Sequence, residues 1–205
     1  MIPRNPFIQF HISPNVKERE YLTEDELKAV MTHEFADSKL AYIRDIFIFA
    51  SFTALSFVDI QELTNDNIVE VNGEKWILSK RHKTKVAFQV KLLDIPLQIV
   101  ERYRPMQKDN RIFPGLNYWS ICKPLKRMIR ECGITKSISF HCSRHGFATL
   151  ALSKGMPIES VSRVLGHTNI VTTQLYAKIT TQKLDNDLTM FGDKLSKTFN
   201  GITMS

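Results

Sequence analysis

Cysteine is scarce in this chain, with Cys122, Cys132 and Cys142 among 205 residues. An odd count does not close into a disulfide framework, and no pair has the tight spacing of a zinc site. The three are therefore read as reduced thiols in a cytosolic protein. His141 and His145 stand at the spacing of a zinc-binding helix, yet Cys142 follows His141 where the metalloprotease helix needs glutamate. No metal and no other cofactor is expected. A signal peptide and an apolar run of membrane length are both missing from the sequence, so a soluble, cytoplasmic chain with no membrane partner is expected. Internal repeats and low-complexity segments are absent too. Acidic residues are outnumbered, 21 against 28 Lys and Arg, for a net charge of +7 and a pI near 9.3. That balance favours a polyanionic partner.

The composition is otherwise that of an ordinary globular protein, 43% hydrophobic and 24% charged. The length suits one domain with a proper core. Residues 1–20 hold Pro3, Pro6 and Pro14 with little helical pattern and read as a leader or linker. A single domain is expected over 21–205. Thr23-x-x-Glu26 is a capping box that opens a helix. Residues 39–55 are apolar on almost every face, which predicts a central buried helix, and a short helix is expected over Val58–Leu63. The period then changes. Ile68–Val71, Asn72-Gly73 and Lys75–Ser79 predict a hairpin with a tight turn, and Val86–Leu93 supplies a third strand after a basic turn at 80–85. A helix from Pro96 to Tyr103 and a basic helix from Asn117 to Cys132 follow, with Pro124 expected to kink the latter or delay its start. Leu184, Leu188, Phe191 and Leu195 mark a terminal amphipathic helix over about 180–199. The whole is an α+β domain, mainly helical, with one small three-stranded antiparallel sheet.

The last third carries the chemistry. His141, Arg144 and His145 fall on one side of a helical turn, since i, i+3 and i+4 share a face. A short helix starting at Pro157 is predicted to stop at Gly166, leaving His167 at a bend. Thr168 or Asn169 can cap the next helix, which carries Tyr176 about two turns on. A planar guanidinium flanked by imidazoles suits a phosphate, because its donors match phosphate oxygens and the imidazoles can donate or move protons. A tyrosine held beside such a site can attack phosphorus.

His-x-x-Arg-His, then Leu165-Gly166-His167, then Tyr176 nine residues after that histidine resembles the catalytic signature of the tyrosine recombinases, the phage-type integrases and their Xer-type relatives. Phe147-Ala148-Thr149 and Thr172-Thr173-Gln174-Leu175-Tyr176 extend the likeness, which covers roughly 21–197. The resemblance implies a DNA-breaking and rejoining domain and a double-stranded DNA partner. Tyr176 is expected as nucleophile, forming a 3′-phosphotyrosine that a 5′-hydroxyl later resolves, so that neither ATP nor metal is required. Arg144 would clamp the scissile phosphate, His141 would handle protons, His167 would donate to a phosphate oxygen, and His145 would support the fold. Lys83, in the basic turn, resembles the family's mobile lysine, the acid that protonates the 5′ leaving oxygen. The family also implies a tetramer on DNA that exchanges a terminal helix, and usually a separate DNA-clamping domain before this one.

One box departs. The family usually reads Thr-Gly-Leu-Arg where this chain has Thr53-Ala54-Leu55-Ser56, which replaces a second phosphate-clamping arginine by serine. Some integrases of Bacteroides-type mobile elements resemble the chain in this substitution. Either the site is weakened or a cation arrives from elsewhere. Arg81 is the stand-in, because in an extended strand residues 81 and 83 point to one face. Lys80 and Lys85 in the turn, and Lys123 and Lys126 on the basic helix, are the expected DNA-backbone contacts. The leading function is a site-specific recombinase. A catalytically weakened DNA-binding module built on the 157–178 helix-turn-helix, and type IB topoisomerase-like relaxation, are the alternatives.

Overall fold

Helix α1 (Glu24–Thr32) begins as its capping box dictates, with Thr23 Oγ accepting from the Glu26 amide and the Glu26 carboxylate accepting from Thr23 N–H at 2.7 Å. The computed structural model describes residues 20–107, 109–176, 181–198 and 200. The leader expected over 1–20 lies, but for Glu20, outside them. Helix α2 (Ser38–Thr53) is the centre of the molecule. Leu40, Ile43, Ile46, Phe47, Ile48, Phe49 and Ala50 are all buried, and α1 and three later helices pack around them. A helix apolar on all sides has to be surrounded in this way. Its buried Asp45 is matched by three donors, Arg44 Nε at 2.8 Å and Arg102 Nη1 and Tyr103 Oη at 2.7 Å each. The α2 backbone ends at Ala54 in the left-handed region, φ 56°.

Helix α3 (Phe57–Gln61) starts one residue before the expected Val58, because Ser56 caps it through a second box with Asp59. Strands β1 (Ile68–Val71), β2 (Glu74–Lys80) and β3 (Ala87–Lys91) form one antiparallel sheet in that order. Asn72 and Gly73 take φ 53° and 77° in the first turn, as a two-residue hairpin with the twist of its strands requires. The register pairs Val71 with Glu74 and Ile77 with Val90.

Helix α4 (Asp94–Tyr103) begins two residues before Pro96, and α5 (Tyr118–Glu131) is capped by the Asn117 side chain. Of the two effects expected of Pro124, the delay does not occur, since α5 is continuous from Tyr118. Proline removes the partner of the carbonyl four residues earlier. That residue, Ser120, is exposed, so solvent can serve it. Helices α6 (Cys142–Ser153), α7 (Ile158–Leu165), α8 (Val171–Gln174) and α9 (Thr181–Thr198) complete the chain. Pro157 is the cap of α7 rather than its first residue.

The core has two parts. The larger unites α1 to α5 with the sheet. A smaller one, Ala54, Ala148, Leu152, Val161 and Leu165, joins the end of α2 to α6 and α7, and Phe147 and Tyr176 pack on it. It is the floor of the site.

Candidate active site

Helix α7 ends at Gly166, whose φ of 63° lets its own N–H and that of His167 turn back to Arg163 and Ser162. The carbonyls of Val164 and Leu165 then project from the helix C-terminus, where the helix dipole is negative. Two guanidiniums take them. Arg81 Nη2 donates to Val164 O and Arg144 Nη2 to Leu165 O. Arg144 reaches on with Nη1 to Ala54 O at 2.8 Å, so it also holds the left-handed end of α2. The glycine is required twice here, because a Cβ at 166 would stand 3.0 Å from both Cγ and Nε of Arg81.

Arg81 is 5% exposed. Its Nη1 lies 2.7 Å from Asp59 Oδ2, and its guanidinium sits 4.0 Å above the centre of the Phe88 ring. Its Nε is a buried donor with no acceptor among the described residues. Arg81 and Lys83 do not share the face of an extended strand, contrary to expectation. Strand β2 ends at Lys80, and residues 82–84 form a turn closed by Arg81 N–H to Val86 O and Lys85 N–H to Arg81 O, both 2.8 Å. Arg81 is therefore turned inward while Lys83 stands exposed on the turn. What brings Arg81 to the site is Asp59, not strand alternation.

The electrostatics are lopsided. Asp59 is the one carboxylate among the described residues in an ion pair with either arginine. Burial pushes its carboxyl up, but hydrogen bonds from the His82 amide and Arg81 outweigh that and leave it below the ordinary range. Burial, then repulsion from Arg81, lowers Arg144 to about 10. His167 is lowered to about 4, first by burial, then by Arg144, Arg81 and His141. It is held neutral beside two cations, with Nδ1 2.9 Å from the hydroxyl of the fully buried Thr173. The ring's other nitrogen is left for a ligand.

Tyr176 lies near enough to Arg144 to oppose the lowering of its pKa, and it packs on the smaller core. It follows α8 in a turn rather than riding two turns along a helix as expected, because α8 stops at Gln174. Neither proposed residue takes the cap position of α8, which Ile170 holds, although Asn169 Oδ1 accepts from Val171 N–H at 2.9 Å. His145 lies between His141 and Tyr176. Its ring centre is 4.7 Å from the first and 5.1 Å from the second. Residues 81, 141, 144, 167 and 176 thus meet in one cluster, and Lys83 is the sequence-derived member that remains outside it.

Sequence reasoning passed over Asp59, Thr173, the ring contact of His145 and the carbonyls of Ala54, Val164 and Leu165. Asp59 had a signal, since Ser-x-x-Asp is the spacing of a capping box. The basic surface also changes on inspection. Lys75 and Lys91 are paired with Glu101 and Glu74, and Arg127 with Glu131 and Asp37. Lys80, Lys83 and Lys85 are exposed and form no ion pair with a described residue. The same is true of Lys123, Lys126 and Arg130, which with Lys39 line a groove between α5 and the start of α2. Trp119, 84% exposed, stands one turn before Lys123 on the same helix. Among the described residues no group of three or more His, Cys, Asp or Glu could hold a metal ion, and no helix is long and apolar enough to cross a membrane.

Comparison with known proteins gives this constellation its setting. The description "Phage integrase family" matches residues 20–183. Tyrosine recombinase XerA of Pyrococcus horikoshii is 32% identical over 177 residues, which are 80% of this chain and 58% of that protein. Tyrosine recombinase XerD of Listeria monocytogenes is 38% identical over 86 residues, 40% of this chain and 29% of that one. Among solved structures, the Tn1549 transposon integrase in complex with a circular intermediate DNA has a TM-score of 0.72 at 16% identity, covering 87% of this chain and 68% of that chain. The XerH site-specific recombinase bound to its palindromic difH substrate has a TM-score of 0.67 at 22% identity, covering 84% and 53%. These two share the fold. The chain spans little more than half the length of XerA. With a match over most of its length, and with the arginine, histidines and tyrosine gathered at one site, the chain belongs to the phage integrase family.

Proposed function

We propose that this chain is the catalytic part of a site-specific DNA recombinase, an integrase of a mobile element, which cuts and rejoins double-stranded DNA through a 3′-phosphotyrosine. One observation carries the reading. Two adjacent, largely buried guanidiniums, of which only Arg81 is paired with a carboxylate among the described residues, stand beside a neutral histidine and a tyrosine. Burying like charges is unfavourable unless an anion completes the set, and a phosphodiester supplies one negative charge.

In the proposed step the Tyr176 oxygen bonds to phosphorus and the bond from phosphorus to the 5′ oxygen breaks. The phenol proton leaves toward His141, and Lys83 protonates the departing oxygen. Arg144, Arg81 and His167 stabilise the non-bridging oxygens as charge builds on them. Ser56 is then no sign of a dead site, because Arg81 supplies the charge that a box-one arginine would. Residues 21–205 form one functional domain, with Lys80, Lys85, Lys123 and Lys126 on the DNA backbone. The protein works as a tetramer on DNA in the cytoplasm, in keeping with its free thiols.

The test is trapping on a nicked suicide duplex that carries the recombination site. The chain should form a covalent adduct, and Tyr176→Phe should form none while its DNA affinity stays within a few-fold. An adduct that persists in Tyr176→Phe would contradict the assignment. Binding without any adduct would instead favour a non-catalytic DNA-binding module.

A further inference from the structure

The carboxylate of Asp59 holds more than an arginine. Oδ2 accepts from Arg81 Nη1 at 2.7 Å, from Ser56 Oγ at 2.8 Å and from Ser56 N–H at 3.1 Å, while Oδ1 accepts from the His82 amide at 3.0 Å. Both side chains of the ion pair are almost wholly buried. The same carboxylate therefore grips the side chain of Arg81 and the backbone at the base of the turn whose exposed tip is Lys83. Below that tip the two backbone bonds between Arg81, Val86 and Lys85 close the turn, and Lys85 is forced to φ 57°.

We infer that Asp59 is a positioning residue that yokes the second phosphate clamp to the leaving-group acid. Arg81 and Lys83 are set by one carboxylate and come into register together. Serine at position 56 fits this arrangement. Its hydroxyl donates to the carboxylate from the helix cap and leaves room for a guanidinium arriving from the hairpin. An arginine at 56 would bring a further charged fork to a group that already has four donors. Ser56, Asp59 and Arg81 are thus a matched set, in which the clamp has moved from the start of α3 to the element that also bears the acid. Cleavage then depends on a single docking event, that of the 81–86 turn onto Asp59.

The inference rests on the roles proposed above for Arg81 and Lys83, and its test separates the two. Single-turnover cleavage is measured on two nicked duplexes, one natural and one with sulfur in place of the bridging 5′ oxygen. A thiolate leaves without a proton, so sulfur makes the acid unnecessary and leaves the need for the clamp intact. Lys83→Ala should be slow on oxygen and close to wild type on sulfur. Arg81→Ala should be slow on both, by about a hundredfold to a thousandfold, as for one lost transition-state donor. Asp59→Asn should combine the two defects. It should be slower than Arg81→Ala on oxygen, and sulfur should restore it only to the Arg81→Ala level. Asp59→Glu keeps the charge but shifts it by a methylene, and it should show the same pattern more weakly. It serves as the reading should Asp59→Asn melt below the assay temperature. An Asp59 variant slowed equally on both substrates serves Arg81 alone, and one that cuts at the wild-type rate serves neither; both results would overturn the yoke. Failure of the unaltered chain to form any adduct would overturn the reading on which it rests.

Discussion

Arg144 spans two carbonyls from different helices, Ala54 O and Leu165 O, and only a planar fork can hold both while facing a phosphate. Lysine would keep the charge and lose the geometry. Arg144→Lys is therefore expected to slow single-turnover cleavage by about 10²–10³-fold while DNA affinity changes little. His167 predicts a pH effect whose sign follows from its depressed pKa of about 4. Between about 4 and the ordinary 6.5 the folded site holds no proton that the unfolded chain would take up. The histidine's contribution to stability is thus complete above 6.5 and lost as pH falls toward 4. A bound phosphate reverses the local field and raises the pKa, so binding takes up a proton in that window. Affinity for DNA at fixed salt should rise as pH is lowered from about 7 to 5, and His167→Gln should remove part of that slope even though His141 and His145 stand nearby. Ser56→Arg makes a third case. In the native background it should not raise cleavage, because Asp59 is already fully engaged. In an Arg81→Ala background the carboxylate is vacated, and partial recovery in the same assay is expected. At this scale spacing made much of the site legible, since His141, Arg144, His167 and Tyr176 come together, although Tyr176 follows α8 in a turn instead of riding on a helix. The place of Arg81 was not legible by strand alternation, because the strand ends one residue too early and the grip comes from a carboxylate 22 positions away.

Among the elements, α2 depends on the neutralisation of one buried charge. Asp45 has two arginines and a tyrosine around it, and Asp45→Ala would leave those donors without their acceptor. A loss of about 3–5 kcal/mol is expected in denaturant unfolding. Helix α9 predicts the opposite pattern. Leu184, Leu188, Phe191 and Leu195 are exposed, so charging that stripe removes little that the single chain buries. Leu188→Asp with Phe191→Asp should leave the melting temperature near the starting value and weaken assembly on DNA, read by mobility shift or sedimentation. A large melting loss with unchanged assembly would mean that the stripe packs within one chain. Element existence was readable from periodicity and caps, as α1, α2 and the Asn-Gly hairpin illustrate. The boundaries set by tertiary contact were less so. A proline in the middle of α5 is accommodated where the carbonyl it orphans belongs to an exposed residue, Ser120, and exposure is not written in the local sequence.

At the scale of the whole molecule, the net charge of +7 overstates how broadly the basic surface is spread. Lys75, Lys91 and Arg127 are neutralised by carboxylates that strand register and helix packing bring to them, which composition cannot foresee. Among the described residues, exposed cations without an ion pair cluster on the 80–85 turn and along the groove of Lys39, Lys123, Lys126 and Arg130, while Arg111, Arg163, Lys194 and Lys197 lie elsewhere. If about six such groups meet phosphates, affinity should fall by about a thousandfold between roughly 50 and 200 mM salt, and Lys123→Ala with Lys126→Ala should flatten the slope by about two. The central role in the proposed chemistry is that of Arg81, buried and bound to Asp59, which supplies the charge missing at Ser56. Single-turnover cleavage of a nicked suicide duplex by Arg81→Ala, with DNA affinity measured separately, tests this most directly. Covalent adduct formation should slow by about 10²–10³-fold while affinity stays within a few-fold. Cleavage at the unaltered rate, or a loss of affinity that accounts for the whole defect, would contradict it.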